Sequence, residues 1–352
     1  MKKYRVAITG YGARGQHHIY GFNQVADRFE IVGLCDISPE KREEARRNLP
    51  ESVRIFDSTD EMLAETQPDV FSFCAMPNLR LPMFELAVKH GVKAVAYEKP
   101  MATSLQEARA IRDLCRHEGI KALVSHQMKY GSHFKAVKEI VSSGRLGRIH
   151  TIHATSKGWM LQFATHLMDY MMHFNGVVGA EWVCGHVNGR TLLDDTHPSP
   201  EYMLGVVYFK NGVEGIIETG LISPDVPDEE HFWFNSKIAV YGELGYAEVR
   251  EGLGWRAVIA GEGVLEGPGC WDPGLDQPPY MRDLADWLDD DSKVHPCNNE
   301  DSYVGFEIAM GIAESALTHK RIDLPFEPEG DIIERMRRLL PDQERKGTWP
   351  WD

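Results

Sequence analysis

Three residues in the stretch WMLQFATHLMDYMMHF, 159–174, are of types that can act together: His166, Asp169 and His173. Their spacing of i, i+3 and i+7 places them roughly on one face of a helix. An imidazole titrates near neutrality and suits proton transfer. Two histidines and a carboxylate also suit a metal ion. Yet residues seven apart lie about 10 Å apart along a helix, and zinc needs three or four converging ligands. No metal is expected. His166 is the proton-transfer candidate. His173 reads as a packed helix histidine or a ligand contact. Asp169 fits a hydrogen bond in a site or a structural role.

A second set of residues is suited to binding phosphate. GYGARG places Gly10, Gly12 and Gly15 after a short apolar run and before a helical pattern, with Ala13 and Arg14 between them. In that setting the first glycine makes the turn. The second lets backbone approach a pyrophosphate, and the third lets helix and strand pack closely. Asp36 ends the next apolar run, where an acid binds ribose hydroxyls and repels a 2′-phosphate. Ile37 and Ser38 bring no positive charge, so NAD is expected over NADP. Glu98, Lys99 and Pro100 end a later run, at the strand end where such sheets bind ligands. A protonated Lys99 there would polarise a hydroxyl or carbonyl.

These residues need a scaffold, and the first 125 residues supply an alternation. Strand patterns at 4–10, 29–36, 53–56, 70–76, 94–99 and 122–128 alternate with helical patterns at 16–26, 38–49, 59–66, 81–91 and 104–119. Strict alternation implies a doubly wound parallel sheet. After a helical pattern at 134–147 the chain reads as strands: 149–159, a hairpin at 201–222 around Asn211-Gly212, then 231–252 and 255–261. Helical patterns return at 279–290 and 301–320, followed by a charged tail, 327–352. The expected domains are 1–125 and 126–352, with the last helices able to pack back on the first. At 352 residues two domains are the natural division.

Composition excludes several functions. A net charge of -15 disfavours nucleic acid and anionic membranes as partners. There is no apolar run near 18 residues and no signal-peptide core. Cys35, Cys74, Cys115, Cys184, Cys270 and Cys297 form no CxxC pair. They read as reduced thiols of a cytoplasmic protein.

GYGARG, Asp36, AMPN and YEKP, in that order, resemble the Gfo/Idh/MocA oxidoreductase family. ALVSHQMKY (122–130), SSGRLGRIHTI (142–152), IAVYGELGYAEV (238–249) and ESALTHKRIDLP (314–325) extend the resemblance along most of the chain. It implies a Rossmann domain plus an α+β domain whose large, open, mainly antiparallel sheet has helices on one face. That sheet is expected to join copies into a dimer or tetramer. The resemblance adds Met76, Pro77, Asn78, Glu98, Lys99 and Gln127 to the cofactor site, beside Gly10, Gly12, Ala13, Arg14, Gly15 and Asp36. It implies substrate contacts at Lys129, Tyr130, Trp159, Gln162, Asp169 and His173. Trp159 and Met160 fit an apolar platform for a sugar face, and Trp159 fits plain core equally. The family's helix carries D-x-x-x-H; here Gln162 replaces the carboxylate before His166. Leu81 stands where the family often has a histidine.

The implied activity is NAD-dependent hydride transfer with a secondary alcohol of a sugar, glycoside or polyol. Lys99 would polarise and His166 would move the proton. Two alternatives stay open: a redox-neutral glycosidase or lyase that retains NAD, and a non-catalytic NAD-binding regulator.

Overall fold

The computed structural model describes residues 2–223, 236–270 and 272–342. Its contacts divide the chain into two compact units. One comprises Met1–Ala102, Glu107–Tyr130 and Asp272–Tyr303; the other comprises Thr103–Gln106, Gly131–Trp271 and Val304–Asp352. Relative to the domains read from sequence, contacts give residues 126–130 and 272–303 to the first unit and 103–106 to the second.

The first unit is built on six strands: β1 (Tyr4–Thr9), β2 (Phe29–Cys35), β3 (Arg54–Phe56), β4 (Val70–Phe73), β5 (Ala94–Tyr97) and β6 (Lys121–Val124). All neighbours are parallel, in the order β3-β2-β1-β4-β5-β6. The crossovers carry α1 (Ala13–Gln24), α2 (Pro39–Asn48), α3 (Thr59–Thr66), α4 (Arg80–Lys89) and α5 (Leu105–Glu118). Every residue of β4 and β5 is buried, which is why these runs are apolar without alternation. Local signals agree with the fold. Ser38 caps α2 by accepting from Lys41 N, with Pro39 at the first helical position, and Ser58 caps α3. The strand order reverses between β1 and β4, the switch point where such sheets take ligands.

The second unit holds a nine-stranded sheet on β7 (Ile149–Ser156), β8 (Ala180–Asn188), β9 (Tyr202–Phe209), β10 (Glu214–Gly220), β11 (Lys237–Gly242), β12 (Gly245–Arg250), β13 (Gly254–Ile259), β14 (Gly263–Pro268) and β15 (Ile322–Asp323). The order is β14-β13-β12-β11-β7-β10-β9-β8-β15, antiparallel except where β7 meets β10. Helices α6 (Ser132–Ser142) and α7 (Thr165–Phe174) lie in this unit. Next in the chain, α8 (Pro273–Asp289) belongs to the first unit, while α9 (Asn299–Thr318) from Val304 onward and α10 (Ile332–Leu339) belong to the second. At Gly185 and Gly205 α9 comes close to the sheet. A Cβ at Gly185 would lie 2.3 Å from Ile312 O, and one at Gly205 would lie 2.4 Å from Ile312 Cδ1.

Several elements depart from the sequence reading. Helix α8 starts six residues before 279 and contains Pro278 and Pro279. Prolines read as a break, but Asp272 caps the helix by accepting from Gly274 N, and packing on α1 at Gly21 holds it. The strand pattern at 70–76 ends at Phe73, and that at 122–128 ends at Val124. Both give way to 3-10 turns, Pro77–Leu79 and Gln127–Tyr130. Strands β8 and β14 and helix α10 were not expected. The first mixes Trp, Gly and His, and α10 is hidden in a charged stretch. The 231–235 part of one expected strand and the last residues of the tail lie outside the described residues. Among the described residues no helix is long and apolar enough to cross a membrane.

Candidate active site

At the end of β1, Gly10 has φ +98°, and a Cβ there would lie 2.8 Å from Cys74 O. A Cβ on Gly15 would lie 1.9 Å from Gly10 O, so helix and turn touch only because residue 15 has no side chain. Gly12 is different: its Cβ direction meets nothing within 4 Å. It is also the N-cap of α1, with no side-chain cap and no acid in the first turn. Helix N–H groups and open space coincide there, as a pyrophosphate requires. Asp36 sits beside this turn, its carboxylate accepting from Tyr11 N (2.7 Å) and Ser38 N (2.8 Å). These residues fit a dinucleotide.

Behind the turn lies a buried polar cluster. Arg14 Nε donates to Glu98 Oε1 at 2.8 Å, and Nη2 donates to the Gln127 side-chain oxygen at 2.8 Å. Gln127 in turn donates to Ser125 O. His18, fully buried, places Nδ1 2.8 Å from Ser72 Oγ and Nε2 3.0 Å from Ser125 Oγ and 3.3 Å from Glu98 Oε1. Burial would raise the Glu98 pKa, but Arg14, His18 and Lys99 outweigh it and hold the carboxyl well below its usual range. Burial would lower His18; Cys74 and Glu98 overcome it and push the imidazole up to about 9. His18, Cys74 and Glu98 are the one convergence of metal-type donors among the described residues. Glu98 there already holds the Arg14 cation.

Lys99 follows Glu98 and is half-buried. The loop before it is braced by Arg80, a buried residue that donates to Ala75 O, Lys99 O and Pro100 O. One guanidinium thus ties the Met76-Pro77-Asn78 turn to the Lys99 segment. Lys129 and Tyr130 are held within the first unit. Lys129 donates to Pro296 O at 2.8 Å and the Tyr130 hydroxyl to Asp283 Oδ2 at 2.6 Å.

The second unit carries the histidine helix. It is shorter than the sequence implied: Met160–Ala164 form a π turn, with Ala164 N reaching back to Trp159 O, and α7 starts at Thr165. Gln162 therefore sits in the turn, so its four-residue spacing to His166 is not an ordinary helical one. His166 and Asp169 are buried, and His173 is half-buried at the C-terminal end. His166 Nδ1 lies 3.1 Å from the Tyr170 hydroxyl. The His166 ring also lies 5.1 Å from Phe163, and Tyr170 packs edge-on against Phe134. Trp159 is buried with Leu192 and Leu221.

Residues 4–126 match a family model described as an oxidoreductase family with an NAD-binding Rossmann fold, Gfo/Idh/MocA. That match makes the N-terminal third of the chain similar to the NAD-binding domain of the Gfo/Idh/MocA oxidoreductases. It is 24% identical to an inositol 2-dehydrogenase of Paracoccus denitrificans, over 81% of this chain and 84% of that one. An uncharacterized oxidoreductase of Streptococcus pneumoniae is 29% identical, but the match spans only 45% of this chain and 41% of that one. The fold matches levoglucosan dehydrogenase, solved with NADH and levoglucosan. There the TM-score is 0.77 at 17% identity, covering 92% of this chain and 100% of that one.

The cofactor is NAD, bound by the domain that residues 4–126 form. Four residues that bear on its sites escaped the sequence reading: His18, Arg42, Arg80 and Tyr170. His18 had a local signal, three residues past Gly15 on the same helix. Arg80 had none, since two of its three partners, Lys99 O and Pro100 O, lie about twenty residues away. Ile37 and Ser38 bring no charge, as read, but Arg42, which the sequence reading did not weigh, reaches the same segment. Its Nη1 donates to Asp36 O (2.9 Å) and Ile37 O (3.0 Å). Asp36→Ala is therefore expected to weaken NAD binding about tenfold and to strengthen NADP binding. Calorimetric titration with each cofactor checks this, and an unchanged NAD-to-NADP ratio would place selectivity elsewhere.

Proposed function

We propose that this protein is an NAD-dependent dehydrogenase. It moves a hydride between the nicotinamide and a secondary alcohol or ketone of a sugar, glycoside or cyclic polyol. The observation that carries the reading is the buried imidazole of His166, fixed through Nδ1 by Tyr170. In this reading the other ring nitrogen, Nε2, moves the proton. His166 takes the hydroxyl proton, and Lys99 holds the developing alkoxide by its charge. Bound NAD supplies the hydride acceptor. Gln162, Asp169 and His173 contact substrate hydroxyls, with Trp159 and Met160 as the apolar wall. Lys129 and Tyr130 border the same ligand.

The polyol class is supported by the inositol 2-dehydrogenase relative and by the fold shared with levoglucosan dehydrogenase. The protein works in the cytoplasm, a reading supported by six free cysteines. It assembles as a homo-oligomer through the outer face of the large sheet. That reading is supported by the Trp182–Tyr208 stack (5.2 Å) beside Val206, which is 37% exposed.

The test is absorbance at 340 nm with NAD and a panel of myo-inositol, levoglucosan and free sugars. A steady rise with at least one of them is expected. Sugar products without a rise would replace the dehydrogenase with a redox-neutral enzyme. NAD binding with neither rise nor product would leave a regulator.

A further inference from the structure

We infer that the C-terminal helix α10 belongs to the substrate apparatus, with Arg337 as a positioning residue. Through the 189–200 loop it fixes the turn that leads into His166.

The contacts run in one chain. Helix α10 is a fixed post: Ile332, Ile333 and Met336 are buried, Asp331 caps its N-terminus, and Arg335 pairs with Glu314 of α9 at 2.5 Å. The Glu314 side chain is 5% exposed and that of Arg335 is 15% exposed, so this pair is shielded from solvent. From this post Arg337 donates twice to Leu193 O, from Nη2 at 2.6 Å and Nε at 3.1 Å. Its ion pair with Asp194 at 3.3 Å adds little, because Asp194 is 90% exposed. Arg190 completes the clasp, pairing with Asp342 and donating to Arg337 O.

The far side of the loop touches the functional turn. Ser199 Oγ accepts from Leu161 N at 2.9 Å inside the π turn. Leu192 packs with Trp159 and Leu221. Within the loop Ser199 N donates to Leu192 O and Leu193 N to Arg190 O, so both sides move as one body. A π turn lacks the regular ladder of an α-helix and takes its shape from neighbours. Releasing Leu193 therefore loosens Trp159 and Leu161, and with them the setting of His166. Helix α10 acts on substrate binding without touching substrate.

The test uses the full chain, with Arg337→Ala, Arg337→Lys, Ser199→Ala and the exposed neighbour Arg338→Ala as control. Hydrogen exchange followed by mass spectrometry reads peptides over 189–200 and 159–164. In Arg337→Ala both peptides are expected to exchange about tenfold faster, while α1 and β1 are unchanged. Arg337→Lys restores most of the protection, because an ammonium still donates to Leu193 O. Ser199→Ala loosens 159–164 and leaves α10 protected, which tests the link even if Arg337→Ala folds poorly. The kinetic arm, with NAD and myo-inositol, rests on the dehydrogenase reading above. There KM for myo-inositol rises about fivefold in Arg337→Ala with kcat and KM for NAD little changed. Equal exchange over 159–164 in wild type, Arg337→Ala and Ser199→Ala overturns the inference. A wild type inactive on myo-inositol counts against that substrate alone, and the exchange result then decides the role of Arg337.

Discussion

His166→Ala is expected to lower kcat by about 10²–10⁴, the usual contribution of a positioned general base. The variant should still fold and bind NAD. His166 lies in the second unit, whereas the glycine turn and Asp36 lie in the first. Tyr170→Phe should cost less, about tenfold. It removes only the hydroxyl 3.1 Å from Nδ1 and leaves the ring that packs on Phe134. The ordering of these two losses carries the argument. If Tyr170 only fills space, Tyr170→Phe should turn over like wild type. If it orients the imidazole, kcat falls while KM for the polyol stays near its wild-type value. Steady-state rates at saturating NAD, with NAD binding measured separately, distinguish the outcomes. A His166→Ala enzyme within threefold of wild-type kcat would remove His166 from the chemistry. Gln162 makes the comparison sharper. The turn at 160–164 takes Gln162 out of regular helical spacing, so the contact seen at Nδ1 comes from Tyr170, four residues after the histidine.

The first unit was legible because each signal in it is local. Apolar runs alternating with helical patterns, and glycines at 10, 12 and 15, each act within a few residues of themselves. The second unit was read less completely. In β8, Trp182, Cys184 and His186 face outward between Val183, Gly185 and Val187, and the glycine at 185 exists for Ile312, far along the chain. The amphipathic IIERMRRL of α10 has its meaning only against α9. The same distinction holds among the candidate site residues of each unit. His166 and Lys99 stand out by residue type and setting, whereas Arg80 matters only through carbonyls that the β4–β5 crossover brings under it. The π turn has no sequence signature at all; its backbone is set by Ser199 and Leu192.

Glu98→Ala is expected to destabilise the protein by about 3–5 kcal/mol, since it strips a buried charge cluster of the carboxylate that meets both Arg14 and His18. Glu98 is 6% exposed and His18 is fully buried. Without the carboxylate, His18 must lose its proton or remain a buried, uncompensated cation. Arg14 suffers less, because its side chain is 37% exposed and water screens it. The same cluster gives wild type a signed dependence on pH. The folded His18 pKa is raised from 6.5 to about 9. Its contribution is therefore complete below pH 6.5 and is lost as pH climbs through 9. Glu98 runs the other way: its folded pKa lies well below 4.5, so its contribution holds above 4.5 and fades on acidification. Between those limits the contribution of this His18–Glu98 pair is flat. Urea unfolding at half-unit steps from about pH 2 to pH 10 measures both arms. His18→Gln, which still offers a donor to Glu98, should flatten the decline between pH 6.5 and 9 and leave the acid arm in place. A wild-type curve that keeps rising through pH 9 would mean that His18 is neutral in the folded protein. The Glu98 carboxylate would then be held by Arg14 and Lys99 without it.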